Sequence, residues 1–123
     1  MTRRVKSKYA ATFDNRCNGW SKSRKRNLYF LHMVASYAND RMRSRYIVAP
    51  DGTVIMRGYI LLNEVRQMIG LPLVPEGVII GWIYDEKNPV GDNYIDFELN
   101  ARGTNPNVVL DFNVDGVITE MFE

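Results

Sequence analysis

Between Ser21 and Arg45 the chain reads SKSRKRNLYFLHMVASYANDRMRSR, and Leu28, Leu31, Ala35, Ala38 and Met42 recur there at alternating steps of three and four. That period puts all five on one side of an α-helix, the main helix of the chain. Ser21 or Ser23 supplies its N-cap oxygen. Tyr29, Phe30, Met33, Val34 and Tyr37 widen the stripe well beyond one narrow seam. A helix apolar over so much of its circumference either lies at the centre of a core or is shared with a second subunit. Arg24, Lys25 and Arg26 in its first turn oppose the helix dipole, whereas Arg41, Arg43 and Arg45 at its far end agree with it.

Beyond Arg45 the chain is punctuated at short intervals. YIVAPDGTVIMRGYI reads as strand, turn, strand, with tight-turn chemistry at Pro50, Asp51 and Gly52. LLNEVRQMIG is a short helix with Leu62, Val65 and Ile69 on one side; Gly70 closes it, and Pro72 and Pro75 forbid its continuation. The unbroken apolar run GVIIGWIY predicts a strand buried on both faces. NYIDFEL alternates, with Ile95, Phe97 and Leu99 opposite Tyr94, Asp96 and Glu98. VVLDFNVDGVITEMF alternates again, with Leu110, Phe112 and Val114 on one face and a turn at Asp115 and Gly116. The expected fold is α+β: an antiparallel sheet of about four to six strands, with one long N-terminal helix and one short helix packed on one face. A chain of 123 residues fits one core. We place the single α+β domain at 21–123, behind a basic N-terminal arm at 1–20.

Several classes are disfavoured. A hydrophobic share of 46% belongs to a folded chain, so global disorder is not expected. The longest apolar run, Val78 to Tyr84, is far too short to span a bilayer. MTRRVKSKYAATFDN is basic but lacks the apolar core of a secretory signal. The lone thiol, Cys17, cannot staple its own chain, and an intracellular location follows as the default. Cys17 and His32 each stand alone, and no phosphate-cradling loop, paired-histidine motif or serine elbow is present. We therefore expect no catalytic residue, no metal and no cofactor.

The net charge of +2 conceals a division: residues 1–45 sum to +10 and residues 46–123 to −8. Such a split implies an internal match or a basic face aimed at an anionic partner. Arg24, Lys25, Arg26, Arg41, Arg43 and Arg45 are the candidates for contacting nucleic acid or another anionic partner, because cations mixed with tyrosines suit phosphates and stacked bases. Against this, charge runs are usually solvated, and an acidic half repels nucleic acid.

GWIYDEKNPVGDNYIDFEL, residues 81–99, crowds five carboxylates around a nine-residue loop from Asp85 to Asn93. Trp82, Tyr84, Asp85, Asn88 and Asp92 are the candidate ligand or docking residues. The plainer expectation is an antiparallel hairpin of Gly81–Tyr84 with Tyr94–Leu99. Its loop would be ordered by side-chain-to-backbone bonds, with Gly91 at positive φ. Asp96 and Glu98 would meet Asp111, Asn113 and Asp115 only if the two strands pair; such a patch could hold a divalent cation or serve an enzyme, but plain alternation is weak evidence for either.

YILLNEVRQMIGLP, GVIIGWIYDEKNPVGDNYIDFEL and VVLDFNVDGVI, taken together and in this order, resemble an uncharacterised small-protein family of bacteriophages and prophages. The likeness spans roughly residues 27–118, with Arg66 where that family often has an aromatic. It carries no catalytic residues. It implies a phage or mobile-element accessory protein, virion-associated or acting on the host in the host cytoplasm. We expect such a protein to work by macromolecular binding as a homo-oligomer, with a host or phage protein or nucleic acid as further partner and no membrane. The alternatives are nucleic-acid binding through the basic helix, and a viral decoy that sequesters a small nucleotide stacked on Trp82 and Tyr84.

Overall fold

The computed structural model describes residues 6–45, 47–55 and 57–122. Residues 1–5 of the expected arm, and Tyr46 and Met56 of the expected hairpin, lie outside the described residues. The element order is β1 (Ala11–Phe13), α1 (Arg24–Ser44), β2 (Ile47–Val48), β3 (Val54–Ile55), β4 (Arg57–Leu61), α2 (Leu62–Ile69), β5 (Ile80–Asp85), β6 (Val108–Leu110) and β7 (Gly116–Val117). The fold is α+β with one long and one short helix, as the sequence pattern predicts. Its antiparallel strands are divided among three small sheets, β1–β6, β2–β3 and β4–β5–β7, instead of lying in one.

Ser23 caps α1, its hydroxyl accepting the Arg26 N–H at 3.3 Å. Leu31, Val34, Ala38 and Met42 turn inward, and α1 packs chiefly across β4. β4 runs directly into α2, where Glu64 reaches back to accept the Leu61 N–H at 2.8 Å. Gly70 then takes φ +88° and donates its N–H to the Arg66 carbonyl at 3.0 Å, which ends the helix. That conformation is cheap for glycine and strained for other residues.

β5 is the central strand of its sheet, with Ile60 opposite Trp82 on one side and Ile80 opposite Val117 on the other. Ile80 to Ile83 are all buried. Trp82 and Phe97 each meet Phe112 edge-on, with ring centroids 6.3 and 5.7 Å apart. Burying each such ring contributes roughly 1.5–3 kcal/mol.

Three expectations are corrected. First, Tyr94–Leu99 is not a strand and does not pair with Gly81–Tyr84. β4 runs along one edge of β5; on the other edge β7 pairs with Ile80 and Gly81, and the Asp115 carboxylate takes the Ile83 N–H. Asn93 and Glu98 adopt φ +61° and +55°, which breaks the extended run, although Ile95 and Phe97 still point into the core. Second, the chain from Ser7 onward is not a detached arm. Tyr9 and Phe13 are core residues, β1 pairs with β6, and the Ser7 N–H donates to Asp111 at 2.6 Å. Third, of the two alternatives for the broad apolar α1, enclosure at the centre of a core is not what is found: Tyr29, Met33 and Tyr37 are 68, 54 and 58% exposed.

Candidate functional site

Tyr29, Met33 and Tyr37 succeed one another at steps of four, so they form one stripe along the solvent side of α1. Exposed Lys25 and Arg26 flank its N-terminal end, and exposed Arg41 and Arg43 its C-terminal end. An open cleft of about 640 Å³ is lined by Ser23, Lys25, Arg26 and Tyr29. A second, of about 250 Å³, lies between the helices against Tyr37, Arg41, Glu64, Gln67 and Met68. Tyrosine, methionine and arginine are enriched at protein interfaces: all three give large contact area, and the tyrosine ring does so with few torsions to fix. Asp40 is the one acidic residue of α1.

The six cations expected to act together do different work. Arg24 turns back onto the loop before β6, donating to the carbonyls of Asn105 and Asn107 at 2.9 Å and of Asn100 at 2.6 Å. Arg45 pairs with Glu64 and lies 5.0 Å from the Tyr59 ring centroid. Both are corrected from partner-binding candidates to internal struts, since the terminal guanidinium nitrogens of each are bonded within the chain, although Arg24 Nε is buried without an acceptor. Burial pushes the Glu64 carboxyl up, but the Arg45 bond, the Leu61 N–H and the charges of Arg45 and Arg41 outweigh it and hold the group below its usual range. Lys25, Arg26, Arg41 and Arg43 remain on the surface.

The residues of the acidic loop also separate. Trp82 is 1% exposed, and its indole N–H donates to Asn113 Oδ1 at 2.8 Å; it is corrected from ligand-stacking candidate to core residue. Tyr84 is half-buried with the Arg43 guanidinium 5.8 Å from its ring centroid. Asp85 accepts the N–H groups of Lys87 and Asn88 at 3.1 and 2.9 Å, and Asn93 bonds both the N–H and the C=O of Asp85. The loop is thus ordered by side-chain-to-backbone bonds. Gly91 is required for a different reason than expected. Its φ is not positive; instead, a Cβ there would overlap the Asp115 carboxylate.

Asp111, Asn113 and Asp115 face inward and stitch the fold together. Asp111 accepts from the Ser7 N–H and hydroxyl and from the Phe112 N–H. Asn113 accepts from Trp82 and from the Asp96 N–H, and donates to Asp92 and to the Tyr94 carbonyl. Asp115 accepts the Ile83 N–H at 2.8 Å. Burial raises the Asp111 carboxyl, but the two Ser7 bonds, the Phe112 N–H and the Lys6 charge overcome it and leave the group below its ordinary value. At Asp115 burial prevails: it lifts the carboxyl above its ordinary value, the Ile83 N–H offsets part of that, and the Asp92 charge adds to it. Asp96 accepts the Glu98 N–H at 2.9 Å. Among the described residues no group of three or more His, Cys, Asp or Glu is arranged to hold a metal ion.

Sequence reasoning missed the asparagines. Asn39 on α1 accepts the Ile95 N–H at 2.7 Å and donates to its C=O at 3.2 Å; Asn63 on α2 does the same for Val74 at 3.0 and 2.8 Å. Asn27, fully buried, joins Ser21 to the Pro106 carbonyl. The one available signal was their placement inside helices, where asparagine is unfavourable unless its side chain has another task.

Fold and site together define a small α+β protein with an exposed aromatic stripe on a cationic helix. The chain belongs to a family of unknown function (DUF6353), whose model matches residues 1–122. No curated protein and no solved structure matches it. Among the described residues no helix is long and apolar enough to cross a membrane.

Proposed function

We propose that this is a small accessory protein of a phage or mobile element that acts by docking macromolecules through the solvent face of α1, self-association included, and not by catalysis. The observation that carries the reading is the exposed stripe Tyr29, Met33 and Tyr37 between cationic ends. Three large side chains in a row on one exposed helix face, with cations at both ends, have the chemistry of an interface. The resemblance of three ordered sequence blocks to a phage and prophage family supports the phage source. Asp111, Asn113 and Asp115 are taken up in holding the fold, which supports the non-catalytic reading.

Nucleic acid is the second reading, favoured by Lys25, Arg26, Arg41 and Arg43 around two exposed tyrosines; it predicts affinity that falls steeply with salt. Light scattering for self-association and gel shifts with single- and double-stranded DNA and RNA test both. At least one association is expected, and the triple variant Tyr29→Ser, Met33→Ser, Tyr37→Ser should weaken it about tenfold or more with the circular dichroism unchanged. A wild type that neither self-associates nor shifts any oligonucleotide, or a triple variant that binds equally well, would overturn the reading.

A further inference from the structure

The cationic helix face and the acidic loop lie side by side. Asn39, on the flank of α1, holds Ile95 by its backbone, and Arg43 reaches the Tyr84 ring. Residues 85–98 carry five carboxylates and one cation, Lys87; Asp85 is also paired with Arg57 at 3.3 Å, and the segment remains acidic on balance. Glu86, Asp92 and Asp96 are exposed there, and Val90 and Tyr94 beside them are 52 and 48% exposed. One half of this surface is cationic with tyrosine and methionine anchors. The other half is anionic with valine and tyrosine anchors.

Two adjacent halves of opposite charge are complementary to their own image after a half-turn, which is the requirement of an isologous dimer. We propose that α1 and the 85–98 loop form a two-fold interface in which each copy seats its Lys25-to-Tyr37 face on the other's acidic loop. This rests on reading α1 as the docking surface and names a second copy as its occupant.

Charge and area both select this pairing. An antiparallel α1-on-α1 contact would set Lys25 and Arg26 against Arg41 and Arg43, and a parallel one would set like on like; both repel. A nucleic-acid strand laid along α1 would run beside the loop's carboxylates, which oppose its phosphates. The Lys25-to-Tyr37 face offers a strip of roughly 20 by 10 Å, well short of the roughly 600–1,000 Å² per partner that a standard interface buries. A stable pairing along α1 therefore needs a second patch on each copy, and the loop with exposed Val90 and Tyr94 is the adjoining one.

Charge exchange tests the proposal. Lys25→Glu with Arg26→Glu puts acids in the first turn of α1, where the dipole favours them, so that variant keeps its fold. Glu86→Lys with Asp96→Asn makes the loop less acidic while an amide oxygen at position 96 still accepts the Glu98 N–H. In sedimentation experiments the wild type should form a dimer that weakens as salt rises. Each variant alone should dimerise about tenfold more weakly or worse, and an equal mixture of the two should recover a mixed dimer. A monomeric wild type, a dimer indifferent to either variant, or variants that fail to complement each other would overturn it. A monomer that shifts oligonucleotides through α1 would overturn the dimer and leave α1 as a docking face. Absence of both associations would remove both readings.

Discussion

Asp111 and Asp115 sit four residues apart and respond to pH with opposite sign. The folded carboxyl of Asp111 lies below its unfolded value, so its contribution is present above the ordinary carboxylate range and is lost as pH falls through the folded value. Asp111→Asn should cost about 1–3 kcal/mol at neutral pH, because a charged acceptor of three hydrogen bonds is replaced by a neutral one. Urea titrations across the acid range should show the variant's deficit shrinking as pH drops; a deficit constant in pH would refute the assignment. Asp115 lies above its unfolded value, so its contribution is present at low pH and is lost as pH rises through the folded value. At this same residue Gly91→Ala should destabilise by roughly 1–3 kcal/mol, since the new methyl group meets a packed neighbour. In an Asp115→Ser background the loss should be smaller, and a double-mutant cycle with zero coupling would show that the two do not collide.

At the scale of elements, α1 does two things on opposite sides. Its inner side packs the core through Leu31, Ala38 and Met42, and its outer side carries the exposed stripe. On its flank Asn39 acts as a substitute strand, supplying one donor and one acceptor to Ile95 where a sheet would have supplied a neighbour's backbone. Asn39→Ala should therefore destabilise by about 1–3 kcal/mol, despite alanine's better helix propensity, because two backbone groups beside the core lose their partners. Hydrogen exchange at the Ile95 amide should accelerate well beyond the change at amides of β5. Equal acceleration at both would mean that the substitution lowers global stability without releasing this segment.

For the whole molecule, the decisive contacts are long-range. Arg66, buried between α2 and the aromatic cluster, donates to the Pro72 and Tyr9 carbonyls at 2.7 and 3.1 Å and lies 5.7 Å from the Phe112 ring centroid. It joins the first strand region, the second helix and the C-terminal segment, a task no aromatic side chain performs. Deleting residues 1–13 should abolish cooperative unfolding, since it removes Tyr9, Phe13, β1 and the Ser7–Asp111 bonds together. A truncated chain that still melts sharply near the wild-type temperature would show that the domain begins after this segment.

The sequence alone determined whatever depends on neighbours a few residues apart. The span of α1 with a serine cap before it, though not the choice of Ser23 over Ser21, the stop of α2 at Gly70, the β2–β3 turn and the buried character of β5 all follow from local torsions and periodicity. The cationic, aromatic side of α1 was legible for the same reason, although which of its cations stay free was not. Tertiary structure decided what the backbone groups bond to. The alternation of NYIDFEL correctly marks Ile95 and Phe97 as inward-facing, yet no strand forms, because Asn39 and Asn113 take the bonds that a neighbouring strand would have made. It also turned Asp111 and Asn113 inward, where alternation alone would leave them in water. A buried donor or acceptor must find a partner, and many segments of one chain compete to be that partner. The winner is set by the packing of residues distant in sequence, which no local pattern encodes.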